Sequence, residues 1–202
     1  MLIVISSPSM IEEEATHINA LFEAGMTLFH LRKPDAAKEE IRELLKKIEP
    51  RYHHQIALHQ YHELAEEFKI ERLHFTKEKR DQTNEEVLIK LKEGNYILST
   101  SIHTIEEYKN ISPKFEYIFF GPVFNSISKQ GYKAAVTADF VFPVEYDRPK
   151  VIALGGIENN NIQQVVKMNF KGIAVLGMIW RKPEKCVEQF KAMQKAWNQI
   201  DR

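Results

Sequence analysis

Five of the chain's eight histidines stand where an apolar run gives way to polar residues: His30, His59, His62, His74 and His103. Imidazole titrates near neutrality, so such groups brought together could take up and return protons at physiological pH. One by one, each reads equally well as a hydrogen-bonded structural histidine. No metal is expected on them, because no H-x-x-x-H helix and no carboxylate at ligand spacing accompanies them. A second set of residues suits anions. Arg32 and Lys33 follow one apolar run, and Gln60 follows His59 at the end of another. The aromatic run Phe115–Phe120 leads through Gly121-Pro122 to Ser126, Ser128 and Lys129, whose hydroxyls could donate hydrogen bonds to a phosphate while the ammonium supplies charge. Gly155, Gly156 and Gly177 would expose backbone N–H groups. The plainer alternatives are tight turns for the glycines and an ordinary salt-bridged strand end for Arg32-Lys33.

These residues need elements to hold them, and hydrophobic periodicity supplies a candidate set. Short β-branched or aliphatic runs at 2–6, 27–32, 55–59, 71–75, 96–102, 115–120, 150–154 and 172–176 read as buried strands. Helical spacing or caps mark 11–24, 36–48, 62–68, 84–92, 104–109, 159–168 and 183–199. Asn84 is a predicted N-cap, and Thr104 with Glu107 forms a predicted capping box. The stretch 134–147, with Phe140, Phe142 and Pro143, does not read as a helix, so the sixth unit is irregular. Eight strand–helix units in one chain of 202 residues predict a single-domain α/β fold over 1–202, a (β/α)8 TIM barrel. An open doubly wound sheet is the weaker alternative, since Ser6-Ser-Pro-Ser9 stands where a G-x-G-x-x-G would be needed. In the barrel the active site lies at the C-terminal ends of the strands, where the residues above fall.

Composition narrows the partners. Twenty-eight Lys plus Arg balance 28 Asp plus Glu, so no global charge favours nucleic acid or an anionic membrane. A single cysteine, Cys186, excludes an internal disulfide framework. No apolar run reaches the ~20 residues of a membrane helix, and the first residues are too short for a signal peptide, so a cytoplasmic protein is expected. A small-molecule ligand is the expected partner, and the assembly is left open between monomer and homodimer.

Several motifs occur in order: Leu31-Arg-Lys33, Ser101-Ile-His103, Phe120-Gly-Pro-Val-Phe124 with Ser126-Ile-Ser-Lys129, Ala153-Leu-Gly-Gly-Ile157 and Gly172-Ile-Ala-Val175. With them the chain resembles the thiamine phosphate synthase family, which includes the thiazole tautomerases. The resemblance implies a (β/α)8 barrel that binds a thiazole phosphate. In synthases it implies coupling to hydroxymethylpyrimidine pyrophosphate with Mg²⁺. It assigns Arg32, Lys33, Ser101, Ser126, Ser128 and Lys129 to phosphate or pyrophosphate, and Gly155, Gly156 and Gly177 to the thiazole phosphate. His30, His59, Gln60 and His74 would line the pocket. The departures from the family's pattern concern the metal. His30 replaces a Gln, His59-Gln60 stands where synthases carry Asn-Asp, and Glu78 sits among Lys77, Lys79 and Arg80 near the second acidic position. Mg²⁺ wants carboxylate oxygens. The expectation is therefore a thiazole tautomerase-like isomerase with His103 as proton carrier and no cofactor. The alternatives are a synthase, in which case Mg²⁺ is needed, and a non-catalytic thiamine-pathway binding protein. The segment 125–135 is the expected lid, with Gly131 as its hinge.

Overall fold

The computed structural model describes residues 1–125, 136–137, 139–145 and 147–200. Eight parallel strands close on themselves in sequence order: β1 (Leu2–Ile5), β2 (Phe29–Leu31), β3 (Ile56–Leu58), β4 (Arg72–Phe75), β5 (Ile97–Ile102), β6 (Phe115–Phe120), β7 (Lys150–Leu154) and β8 (Gly172–Val175). Closure is made by β1 against β8, with Leu2 beside Ile173 and Val4 beside Val175. The expected (β/α)8 barrel is the observed fold.

Alternation along each strand builds two cores. Residues such as Val4, Phe29, Leu31, Leu73, Phe75, Ile118 and Phe120 point outward and meet the apolar faces of the surrounding helices. Those helices include α1 (Glu14–Glu23), α2 (Lys38–Lys47) and α3 (Leu64–Phe68), and α9 (Cys186–Asn198) packs beside α1. The inward set is smaller: Ile3, Ile5, Ala57, Tyr117, Phe119, Ile152 and Ala174 form a separate cluster. Inward positions on β2, β4 and β5 are polar instead, with His30, His74 and Ser99 buried. The barrel interior is thus aliphatic on the β7–β8–β1 side and hydrogen-bonding on the β2–β6 side. Among the described residues every buried side-chain polar atom has a partner, as burial requires.

Local chemistry sets several boundaries. Asn84 accepts from Val87 N–H at 3.0 Å and starts α5 (Glu85–Glu93) as expected. Thr104 and Glu107 form the expected capping box on α6 (Ile105–Lys109). Two short helices were not expected: α4 (Lys77–Asp81) after β4, and α8 (Gly177–Trp180) after β8. The helix expected at 159–168 is α7 (Ile162–Lys167); Asn161 ahead of it accepts from Glu158 N–H and donates to Gly156 O. Between β6 and β7 the described residues form no helix. Phe142 is instead wholly buried, donating its N–H to Met168 O at 2.9 Å and packing on Tyr108, Phe120 and Phe170. Aromatic burial here does the covering that a helix does elsewhere.

Candidate active site at the C-terminal face

A cavity of about 380 Å³ opens at the C-terminal ends of the strands. One wall is made by Ile5, Leu154, Ala174 and Leu176. The facing wall carries His59, His74, Ser101 and His103, and Arg32, Lys77 and Arg181 also line the cavity. The size suits a ligand of one or two small rings.

Behind the polar wall lie two short sets of hydrogen bonds. Ser101 Oγ lies 3.0 Å from His74 Nε2, and His74 Nδ1 lies 2.9 Å from Ser99 Oγ. Ser99 and Tyr117 are register partners on β5 and β6. Tyr117 Oη lies 2.7 Å from His30 Nε2, and His30 Nδ1 lies 2.9 Å from His59 Nε2. His59 also stacks on His74, with ring centroids 4.0 Å apart and planes at 25°. Burial drives the charged form out of all three rings. It lowers the His30 pKa to about 3, with Arg72 adding to the effect, and it holds His59 and His74 well below 6.5, their neighbouring histidines contributing. Burial likewise pushes the Tyr117 hydroxyl up to about 12. These groups are neutral at pH 7.

His103 is set differently. Its Nδ1 lies 2.6 Å from the Gly121 carbonyl, which can only accept, so Nδ1 carries the proton and Nε2 is the basic nitrogen. Its backbone N–H donates to Glu107 at 2.6 Å, and the same carboxylate accepts from Thr104 N–H, Lys77 and Arg80. Burial alone would raise the Glu107 pKa, but these donors outweigh it and hold it at about 2.

The anion-binding expectations separate. Arg32 reaches the cavity and has no carboxylate partner among the described residues. Lys33 does not reach it. Its side chain is wholly buried, with Nζ 2.5 Å from Glu14 and 2.8 Å from the Ser9 carbonyl, so it ties α1 to β2. Gln60 is likewise turned away: its amide bonds the backbone N–H and carbonyl of Lys33. Gly155, Gly156 and Gly177 line the cavity. Gly155 and Gly156 also have φ of 98° and 65°, and a Cβ on Gly156 would lie 2.7 Å from Asn125 O, so turn geometry alone requires glycine there. His30 lies a layer below the cavity wall, and His62 donates to the carbonyls of Leu58 and His74, fastening β3 to β4. Ser126, Ser128, Lys129 and Gly131 lie outside the described residues.

Sequence reasoning missed Lys77, Arg181 and Tyr117. Lys77 sits in, and Arg181 just after, a helical segment too short to show a period. Tyr117 reads as one more aromatic in a buried strand, and nothing in the pattern reveals where its hydroxyl points.

Two metal readings can be tested on these residues. Mg²⁺, which the family implies, does not fit the described lining. The only carboxylate there, Glu158, is paired with Arg181 at 3.2 Å, and the ends of β3 and β4 offer imidazoles. The His30, His59 and His74 ring nitrogens come within 4.8 Å of one another, a spacing that no local motif announces. Yet both nitrogens of His30 and of His74 already have protein partners, and stacked His59 and His74 rings direct their lone pairs side by side. The geometry is that of hydrogen-bonded structural imidazoles.

Fold and cavity together define a (β/α)8 enzyme with a neutral-imidazole wall facing an aliphatic one. Residues 2–179 match the family model described as thiamine monophosphate synthase. The chain is 28% identical to the thiamine-phosphate synthase of Staphylococcus epidermidis over 180 residues, covering 83% of this chain and 82% of that one. It is 30% identical to the thiamine-phosphate synthase of Anoxybacillus flavithermus over 103 residues, half of this chain and 47% of that one. The solved structure of thiamine phosphate pyrophosphorylase from Bacteroides thetaiotaomicron superposes with a TM-score of 0.75 at 27% identity, covering 100% and 99% of the two chains. That from Pyrococcus furiosus gives 0.76 at 21% identity, covering 98% and 95%, which speaks to the fold. The chain belongs to the thiamine monophosphate synthase family, enzymes of thiamine biosynthesis. Among the described residues no helix is long and apolar enough to cross a membrane.

Proposed function

We propose that the chain joins hydroxymethylpyrimidine pyrophosphate to a thiazole phosphate at the C-terminal face of the barrel, giving thiamine phosphate and pyrophosphate. The names of its relatives support this reading over the isomerisation that the missing carboxylates suggest. The observation that carries it is Arg32, a guanidinium on the cavity wall with no carboxylate partner among the described residues, available to bind a phosphoryl oxygen in bidentate fashion. Lys77 and Arg181 also line the cavity, each ion-paired with a carboxylate, and the apolar wall of Ile5, Leu154 and Leu176 suits the face of a flat heteroaromatic ring. On this reading Gly155, Gly156 and Gly177 let backbone approach the ligand, Ser101 donates to it, and the protein works in the cytoplasm.

A second reading, isomerisation of a thiazole phosphate carboxylate, is favoured by one observation: the basic Nε2 of His103 beside a wall without Mg²⁺ ligands. One assay decides. A single preparation is given both substrates, with and without Mg²⁺, and separately the thiazole tautomer alone. Thiamine phosphate formation supports coupling. Isomerisation without coupling replaces it with the second reading. Binding of thiazole phosphate with neither reaction leaves a binding protein.

A further inference from the structure

We propose that Tyr117 and His30 fix His59 as a hydrogen-bond donor whose Nδ1–H faces the cavity, making His59 a specificity-determining residue that takes an unprotonated ring nitrogen of a flat heteroaromatic ligand. The donor assignment stands on hydrogen bonds alone. The ring nitrogen rests on the reading, common to both reactions above, that a phosphorylated heterocycle occupies the cavity. Two links carry the assignment: Tyr117 Oη lies 2.7 Å from His30 Nε2, and His30 Nδ1 lies 2.9 Å from His59 Nε2. Tyr117 and His30 are buried behind the wall, whereas His59 lines the cavity. Among the described residues every buried side-chain polar atom has a partner, and His59 Nδ1 has none there, so Nδ1 is the atom that reaches the cavity.

The phenol sets the direction of both bonds. Tyr117 keeps its proton at neutral pH, since burial holds the hydroxyl up at about 12. The acceptor that this hydroxyl meets among the described residues is His30 Nε2. A neutral His30 that accepts at Nε2 must carry its own proton on Nδ1, and that proton goes to His59 Nε2. Neutral His59, accepting at Nε2, is then protonated at Nδ1. The reverse order would leave the buried hydroxyl proton without a partner, which burial penalises. His103 is the complement. Its Nδ1–H is spent on the Gly121 carbonyl, so it shows the cavity a bare acceptor where His59 shows a donor. A phosphoryl dianion is better served by a charged donor such as Arg32; a neutral N–H suits a neutral acceptor. An amine or a ring N–H at the same place would meet donor with donor and be refused.

The test uses the full chain labelled with ¹⁵N-histidine, since nitrogen shifts report which ring nitrogen carries the proton. In the wild type at pH 7, His30 and His59 should both be in the Nδ1–H form. Tyr117→Phe removes the proton that holds His30 there. The His59 ratio of Nδ1–H to Nε2–H should then fall about two- to tenfold, the change one hydrogen bond's net worth implies, although the bond removed is on His30. If Tyr117→Phe fails to fold, His30→Gln carries the test. Its amide oxygen can accept from Tyr117 and its NH2 can donate to His59, so His59 should stay Nδ1–H. The donor is overturned by a wild-type His59 in the Nε2–H form, by one indifferent to Tyr117→Phe, or by one that leaves the Nδ1–H form in His30→Gln. The ligand atom is read from the same signals on adding the thiazole phosphate, hydroxymethylpyrimidine pyrophosphate and, separately, inorganic pyrophosphate, with binding followed by calorimetry. A ring ligand should shift the His59 Nδ1–H signal and inorganic pyrophosphate should not. A shift with inorganic pyrophosphate would assign the donor to a phosphoryl oxygen, and ring ligands that bind without moving His59 would remove it from the site; either overturns the specificity role. If neither ring ligand binds, the heterocycle reading of the cavity fails, while the tautomers still judge the donor.

Discussion

Holding four imidazoles neutral inside the fold makes the protein acid-labile over a defined pH window. Burial lowers His30 to about 3 and His62 to about 4, and holds His59 and His74 well below 6.5. Each therefore has a folded pKa below its unfolded value of 6.5. Between the two values the unfolded chain binds a proton that the folded chain refuses. Stability is then complete above pH 6.5 and falls as the pH drops through the window toward 3 or 4. For His30 alone the loss between pH 8 and pH 5 is about 2 kcal/mol. His62, lowered to about 4, adds nearly as much over the same range, and His59 and His74 act in the same direction, against a typical total of ~5–15 kcal/mol. Urea unfolding followed by far-UV circular dichroism at pH 8, 7, 6 and 5.5 measures this directly. The slope near pH 5.5 should be at least about 2.4 kcal/mol per pH unit, the two protons that His30 and His62 take up on unfolding, with His59 and His74 steepening it. His30→Gln offers an amide to the same partners and removes one titrating ring, so its uptake should drop by about one proton. A wild type equally stable at pH 8 and pH 5.5 would refute the buried, neutral cluster. A His30→Gln slope equal to the wild type's would refute the assignment of a share to His30.

Three further outcomes follow from single contacts. Glu14→Gln leaves the Lys33 ammonium buried without its counter-ion and should cost about 3–5 kcal/mol in thermal or urea unfolding, whereas Glu14→Leu with Lys33→Met should recover most of it. Gly121→Ala would place Cβ 2.1 Å from the Leu154 carbonyl, so a loss of about 3 kcal/mol or failure to accumulate as soluble protein is expected. Arg32→Ala should weaken binding of inorganic phosphate or a phosphorylated thiazole about 10- to 100-fold by calorimetry while leaving the melting temperature nearly unchanged; an unchanged affinity would remove Arg32 from the site.

The barrel was legible because its strands are short, apolar and regularly spaced among helical segments; even the irregular sixth unit announced itself through Phe140, Phe142 and Pro143. Helix α4 was not, since Lys77-Glu-Lys-Arg-Asp81 has no apolar face and is fixed by the Thr76 cap and by Arg80 reaching Ser101 O. Side-chain direction was the larger loss. Arg32 and Lys33 are adjacent and similar, yet one faces the cavity and the other meets Glu14, 19 residues earlier, a partner no local pattern reveals. His30 was placed correctly on strand two, but pairing with Ala57 sets it a layer below His59 and converts a cavity residue into a buried link.

The two unlike walls also have a stereochemical consequence. A planar ring lying between Ile5, Leu154 and Leu176 on one side and His59, His74 and Ser101 on the other presents non-equivalent faces to the protein. The imidazoles and the Ser101 hydroxyl line only one of them. Any bond made or proton delivered from that wall arrives on a single face of the ring, so the barrel's lopsided interior would impose facial selectivity before any loop closes over the ligand.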